Sequence, residues 1–497
     1  MEKHTLPYRQ LFILCACRFA EPICFTVIFP FIVSMVRDFK IAKEEDIGYY
    51  IGFITASFAL SQLLTGIHWG ILSDKIGRRP VILCGMVGTI VSITLFGLSK
   101  SYIWALLSRS VCGLLNGNVG VLKSMMGELT ITSPPDQKTR AFSLLPLMYG
   151  LGSIIGPILG GFLSHPVELY PGIFDHRGAL TDFLVEYPYF LPCFLSASIC
   201  SVGLVVGFFF LEETLGGVHL QKKKQGEQQP LLEDTGSDRY LAVDQHKGIK
   251  ESDPPTLKEA LTPTVWAISI SFAILAFQVV YCEELFPIWT ASQRSFGGLG
   301  FTANEIGTAL AVAGCTTMVT QLFILPSLVR RFGFVRLYRF TLFSLIFVYF
   351  AHSLVRHLYN VPDWQGHVGT KYWVWIGLFT VVILKTMCQT TAFTTSTLLV
   401  NNCAPLRSLG TINGFTQCCA SLMRAMGPAT CGIVWSQSVA ATWIPFEIRT
   451  YIPWFSLSII AWITFYTSQR LDASKYETAQ GQEVVDLIDD QQSDDTV

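Results

Sequence analysis

Long apolar runs follow one another along almost the whole chain, each closed by a short polar stretch. They lie near 10–36, 48–72, 81–99, 102–129, 141–164, 188–211, 264–290, 306–329, 337–357, 372–399, 406–436 and 449–468. A helix rising about 1.5 Å per residue needs roughly 20 residues to cross about 30 Å of hydrocarbon. Lipid offers the backbone no water, so each run is predicted to be a helix. The pattern predicts an all-α integral membrane protein with about twelve transmembrane helices.

One stretch breaks the rhythm. Residues 212–260, including "QKKKQGEQQPLLEDTGSDRY", are polar and too poor in apolar side chains to pack a core. They are read as a disordered cytoplasmic linker between a six-helix bundle over 1–211 and a second over 261–470. Residues 471–497, ending "DLIDDQQSDDTV", are read as a disordered acidic tail.

Composition fits this reading, with 51% hydrophobic and 14% charged residues in 497. The net charge of -1 gives no basic footprint for nucleic acid. The 14 cysteines fall in or beside apolar runs, so neither disulfides nor a metal site is expected. Neither H-E-x-x-H nor G-x-S-x-G occurs, and "YGLGSIIG" misses dinucleotide spacing, so no enzyme and no cofactor is expected. "MEKHTLPYRQ" lacks the small-residue cleavage site of a signal peptide, so the first helix is expected to be retained.

Loop charge sets orientation. Lys75, Arg78 and Arg79 follow the second run, Lys138 and Arg140 the fourth, and Arg330, Arg331, Arg336 and Arg339 the eighth. The positive-inside rule puts these loops, and both termini, in the cytoplasm. Trp69, Trp104, Trp289, Trp373 and Trp375 stand near run ends and are read as an interfacial belt.

The two halves repeat. "LSDKIGRR" after the second run aligns with "LVRRFGFVR" after the eighth, pairing Gly77 with Gly333. "GSIIGPILGG" in the fifth aligns with "RAMGPATCG" in the eleventh, pairing Gly156-Pro157 with Gly427-Pro428. Repeats of this kind are typical of secondary transporters with a midplane site between the halves.

At these residues the chain resembles the major facilitator superfamily. Gly70, Leu72, Asp74, Gly77, Arg78 and Arg79 match its loop signature, and Arg109 with Gly113 in "RSVCGLLNG" its R-x-x-x-G motif. Gly152, Gly156, Pro157, Gly160 and Gly161 resemble the fifth-helix signature of its drug:proton antiporter branch. "RFAEPICFTVIFP" and "HWGILSDKIGRRP" look closest to the zinc-induced-facilitator-like and tetracycline-resistance-like group.

The resemblance implies alternating access between two bundles, which requires a contact that forms in one state and breaks in the other. Asp74 is read as the acid of that gate, with Gly70 allowing close helix approach and Gly77 a tight turn. Pro157 and its glycines are expected to shape a flexing interface between the halves. Ionisable residues inside apolar runs are costly and should line a cavity. These are Arg18 and Glu21 in the first run, Arg109 in the fourth, Glu283 and Glu284 in the seventh, Lys385 in the tenth and Arg424 in the eleventh. Depth along the helices puts Glu21 and Arg109 at similar heights, so they are expected to pair, with Arg18, one turn away, as the competing partner. Of the adjacent Glu283 and Glu284, one is expected to face the cavity.

The implied activity is proton-coupled antiport of a small organic solute or metal chelate out of the cytosol, with the proton as coupling ion. A proton symporter or facilitator of the same fold is the alternative, and a non-transporting receptor is disfavoured. Expected partners are the lipid bilayer, a small-molecule substrate and, at the linker, a sorting adaptor; a monomer is expected. In "EQQPLL", Glu227, Leu231 and Leu232 resemble an acidic dileucine signal, which points to a vacuolar or lysosomal membrane rather than the plasma membrane.

Overall fold

A computed structural model describes residues 7–130, 135–174, 178–214, 262–403 and 409–471. Among the described residues no strand occurs, and long helices alternate with short connections. The linker, except Glu212 to Thr214, lies outside them with its Glu227, Leu231 and Leu232 motif, and so does the tail beyond Leu471.

The crossings are α1 (Tyr8–Thr26, continued by Ile32–Asp38), α2 (Ile47–Ile76), α3 (Arg78–Gly97), α4 (Tyr102–Leu115 and Asn118–Leu129), α5 (Pro135–Leu163) and α6 (Phe190–Phe210). The second half repeats them as α7 (Pro263–Ala291), α8 (Ala303–Val319, a π turn at Thr320–Ile324, then Leu325–Phe332), α9 (Phe334–Leu354), α10 (Tyr372–Asn402), α11 (Leu409–Ala440) and α12 (Ile452–Ser468). Among the described residues, eight helices are long and apolar enough to cross a membrane, and Leu147–Leu163 and Ile452–Ser468 are shorter apolar helices. α1 falls outside that set because Arg9, Arg18 and Glu21 all lie within it. The break in α4 at Asn116 has its exposed carbonyls taken by α2: Gln62 donates to the Asn116 carbonyl at 3.2 Å and the Trp69 indole to that of Leu114 at 2.7 Å.

The repeat seen in the sequence is present in the backbone. Gly77 joins α2 to α3 at φ +105° and Gly333 joins α8 to α9 at φ +76°, a region that L side chains rarely enter. An arginine of the following helix then holds the last carbonyls of the bundle: Arg79 that of Phe208, Arg339 those of Ser468, Gln469 and Leu471.

The halves meet along two symmetry-related pairs, α2 with α11 and α5 with α8. In each, a proline carbonyl faces a glycine of the other half: Pro428 faces Gly52, and Pro157 faces Gly307. Gly432 fits against Gly48 and Gly52 as Gly161 fits against Ala303 and Gly307. All these contacts lie near Ile47, Leu163, Ala303 and Ala440, at the helix ends that the loop charges predict to be non-cytoplasmic. Towards its opposite end α2 leaves α11, and a Cβ at Gly66 or Gly70 would meet nothing within 4 Å. The halves are closed at the first set of ends and parted at the opposite one. Gly70, expected to bring helices together, has no close neighbour in this arrangement because the halves part there.

Polar groups reinforce the closed side. Arg37, held by Glu44 at 2.8 and 3.0 Å, donates to the Ala291 carbonyl of the other half at 3.0 Å, where the C-terminal dipole of α7 favours a cation. The Tyr49 amide donates to Ser436 at 3.2 Å. Within the first half, Tyr189 donates to the Asp38 carboxylate, and His165 lies 3.2 Å from the same oxygen. Partial burial opposes ionisation of Asp38, yet the hydrogen bonds and charge of these partners hold its carboxyl below the ordinary carboxylate range. Trp289, placed in the interfacial belt by sequence, is instead core, 1% exposed and set edge-on to Trp454 at 5.2 Å.

Gly52→Leu should drive a side chain into the Pro428 carbonyl and part α2 from α11. Hydrogen exchange should then quicken around Gly52 and Pro428 in those two helices and stay unchanged in α3 and α9; no change at α2 and α11 would remove the contact from closure. Because the folded Asp38 pKa lies below its unfolded value, its contribution is present above about pH 4 and lost as pH falls through the folded value. Asp38→Asn should therefore lower the unfolding temperature equally at about pH 7 and about pH 5, with the deficit closing only near pH 3.

Candidate functional site

The loop between α2 and α3 is built around Arg78, a buried side chain whose positive charge requires partners. It forms ion pairs with Asp74 and, at 3.0 Å, with Glu128 at the end of α4, and donates to Ser73 at 2.6 Å. Glu213, just beyond α6, accepts from the amides of Arg78 and Arg79 at 2.8 and 3.0 Å. It therefore caps α3, where unpaired amides and the helix dipole favour a carboxylate. A Cβ at Gly77 would run into that Glu213 carboxylate, so glycine is required there by space as well as by φ. Asp74, the expected gate acid, is 64% exposed at its side chain and bonds within its own half.

The fifth-helix glycines divide between two partners. Gly152, Gly156 and Gly160 recur every four residues and seat α5 on α1, against Pro22, Thr26 and Val27. Gly161 and the Pro157 carbonyl face α8 in the other half. Gly427 packs on Val280 and Tyr281 of α7, the counterpart of Gly156 on α1. The interface between halves expected of this segment is thus carried by Pro157 and Gly161, and the other three glycines hold the first bundle together.

In the central region Glu21 is ion-paired with Arg18, both side chains 13% exposed, and the Arg18 guanidinium lies 5.5 Å from the Tyr149 ring centroid. The expected Glu21–Arg109 pair is not formed. Arg109 is 2% exposed, its guanidinium 4.7 Å from the Phe58 ring and 5.7 Å from that of Phe25, and its Nε and Nη2 have no hydrogen-bond partner. Its charge is felt by Glu284, in the other half. Thr55 of α2 donates to Glu284 Oε1 at 3.1 Å, so this acid bridges the halves. Glu283, partly exposed, instead feels the charges of Lys385 and Arg424. Lys385 lies 5.8 Å from the Phe286 ring centroid, and Arg424 donates to Ser421 at 3.0 Å.

Behind these charges, Gln278 and Gln389 both donate to the Tyr349 hydroxyl, at 3.0 and 2.8 Å, joining α7, α9 and α10. Two bundles closed at one side and open at the other thus meet around buried charge. The family model described as Major Facilitator Superfamily matches residues 14–428. The chain belongs to the major facilitator superfamily.

Relatives within this superfamily include the multidrug transporter mfsB of Aspergillus fumigatus, 31% identical over 92% of this chain and 82% of that protein. Protein ZINC INDUCED FACILITATOR-LIKE 1 of Arabidopsis thaliana is 29% identical over 92% of this chain and 90% of its own length. Among solved structures, a D-xylose–proton symporter superposes with a TM-score of 0.67 at 12% identity, covering 96% of this chain and 100% of that one. The protein is a transporter of the bilayer rather than an enzyme.

Sequence reasoning missed Glu128, Glu213, Thr55 and Lys123. Lys123 stands on α4 with its side chain exposed, and its position inside an apolar run was the signal that could have found it. Glu213 gave none, because it acts on residues more than a hundred positions away.

For this major facilitator, Arg78→Gln should leave Glu128 without its cation and destabilise by about 1.5–3 kcal/mol, read as a lower unfolding temperature. Asp74→Asn should shift stability by under about 1 kcal/mol, since Asp74 is mostly exposed, while transport is lost. Normal flux in that variant would remove Asp74 from gating.

Proposed function

We propose that this transporter exchanges protons for a small organic solute or metal chelate, which it moves out of the cytosol, and that Glu284 carries the proton. The observation behind this reading is the Thr55–Glu284 hydrogen bond between halves, 3.1 Å long and beside the charge of Arg109. An ionised carboxylate in hydrocarbon costs about 2.5–3.5 kcal/mol, so its protonation state is tied to its surroundings. Opening the non-cytoplasmic side breaks this bond, because its ends belong to different bundles, and brings the carboxylate to water there. Closing returns it to Thr55 and the charge of Arg109 and away from water on that side, so each swing changes the surroundings on which its protonation depends. Glu21 has a different part, holding Arg18.

Antiport is supported by the Gly-Pro segment of α5, now placed against α8. Cytoplasmic termini and residence in a vacuolar or lysosomal membrane follow from the loop charges and the Glu227, Leu231 and Leu232 motif, with a sorting adaptor as partner and a monomer as the working unit. Proton symport is the second reading, favoured by the excess of basic groups around the cavity.

In vesicles with an imposed pH gradient, tested with labelled organic cations, anions and zwitterions, the native protein should accumulate its solute and Glu284→Gln should not. Exchange without a gradient should persist in that variant. Glu21→Gln should reduce the rate but leave accumulation. Full gradient-driven accumulation by Glu284→Gln would overturn the assignment.

A further inference from the structure

Where α5 of the first half meets α8 and α10 of the second, a groove of about 460 Å³ follows the seam. Ile154 and Ile158 of α5 form one wall and Ile383 and Met387 of α10 the other, while α8, which packs against both helices, lies beneath with Val312 and Val319. The seam under the groove is shut, since Gly161 fits against Gly307 and a Cβ at Gly314 would run into Ile154. Helical phase turns the groove away from the buried charges. Lys385 stands two residues from both Ile383 and Met387, about 200° round α10 from each, and Ile158 is about 180° round α5 from Tyr149, which lies against Arg18. Ile158, Val319 and Ile383 are exposed, and exposed apolar side chains on membrane helices meet lipid. The lining is almost wholly apolar, and the hydroxyls of Thr308 and Thr316 donate back to their own helix, to the carbonyls of Asn304 and Val312 at 2.8 Å each. Between positions 308 and 324 it follows α8 for about 24 Å, most of the roughly 30 Å hydrocarbon layer, so the groove is long and narrow.

We propose that this groove is a binding site for one acyl chain of a membrane phospholipid, held between the two halves. Apolar spaces stay dry and take apolar guests. Within the bilayer the guest at hand is hydrocarbon, and a linear chain matches the long, narrow shape. A void forfeits dispersion contacts on one side of its lining, whereas a seated chain supplies them along α5, α8 and α10 together. A chain here is held on three sides, unlike lipid that lies against a single helix face. One wall belongs to each half, so the site persists only while α5 stays shut against α8 at Gly161 and Gly314. The bound chain therefore favours this arrangement of the halves, to the extent that it binds other arrangements less well. The inference is independent of the transported solute.

The test uses the full-length protein in phosphatidylcholine nanodiscs that contain a small fraction of phosphatidylcholine with a diazirine midway along one acyl chain. After photolysis, labelled peptides are mapped by mass spectrometry. Label should concentrate on residues 308–324 of α8 and 383–387 of α10, at about five times or more the yield on the exposed Phe340, Phe343 and Phe347 of α9. Ala311→Phe and Cys315→Trp, each filling the groove from α8, should lower that labelling about fivefold or more and leave α9 unchanged. Gly161→Leu, which drives a side chain into the Ala303 carbonyl and forces α5 from α8, should lower it as well. Equal labelling of the groove and α9 would mean ordinary boundary lipid and overturn the site, as would native labelling in both filled variants. Native labelling in Gly161→Leu would assign the chain to the second half alone and overturn a site shared between halves. A diazirine-bearing cholesterol, added at the same fraction, should leave the groove unlabelled. Its labelling there in place of the acyl chain would assign a sterol and overturn the proposal equally.

Discussion

Where the two bundles come closest, they touch through backbone. Where Pro428 faces Gly52 and Pro157 faces Gly307, a carbonyl of one half lies against a glycine Cα of the other. Backbone contacts of this kind contribute little each, through dispersion and Cα–H···O attraction. Their value is positional. Glycine brings two helix axes closer than any side chain would allow, and proline leaves a turn of the helix short of a hydrogen bond, so the segment bends more readily. Two symmetry-related contacts define an axis near the closed end, about which the opposite ends of α2, α5, α8 and α11 are free to part.

The charged loop serves a different purpose in this arrangement from the one its acid suggests. Asp74, Arg78, Glu128 and Glu213 bind one another inside the first bundle and fasten α2, α3, α4 and the end of α6 at the parted side. A bundle that must swing as a unit needs such a brace, since its inner face is uncovered when the cavity is open. The second bundle lacks the acid at the position of Asp74, where Arg330 stands. Asp74 is thus left largely exposed, available to another partner once the halves close on that side.

Much of this was legible in the sequence because hydrocarbon punishes both unpaired backbone and stray charge. The spans, the repeat through Gly77 and Gly333, and the ionisable residues of the cavity all follow from that penalty. The pairings did not. Depth along a helix fixes height, whereas partnership depends on rotation, which changes by about 100° per residue. Glu21 and Arg109 share a height, but Glu21 turns to Arg18, three residues back, while Arg109 is directed at Phe58 and the other half. Glu213 and Thr55 act on residues brought near only by the closing of the fold, and no local pattern marks them.

The π turn at Thr320–Ile324 bears on how the two halves are compared. From Gly52 to Gly77 the chain advances 25 residues, and from Gly307 to Gly333 it advances 26, although both stretches join equivalent points. A wide turn accommodates one additional residue without rotating the rest of the helix. The second repeat thus carries a single-residue insertion relative to the first, housed inside a membrane helix. A gapless superposition of the two halves in sequence would read Leu325–Phe332 one position out of register, assigning lipid-facing side chains to the cavity and cavity-facing ones to lipid.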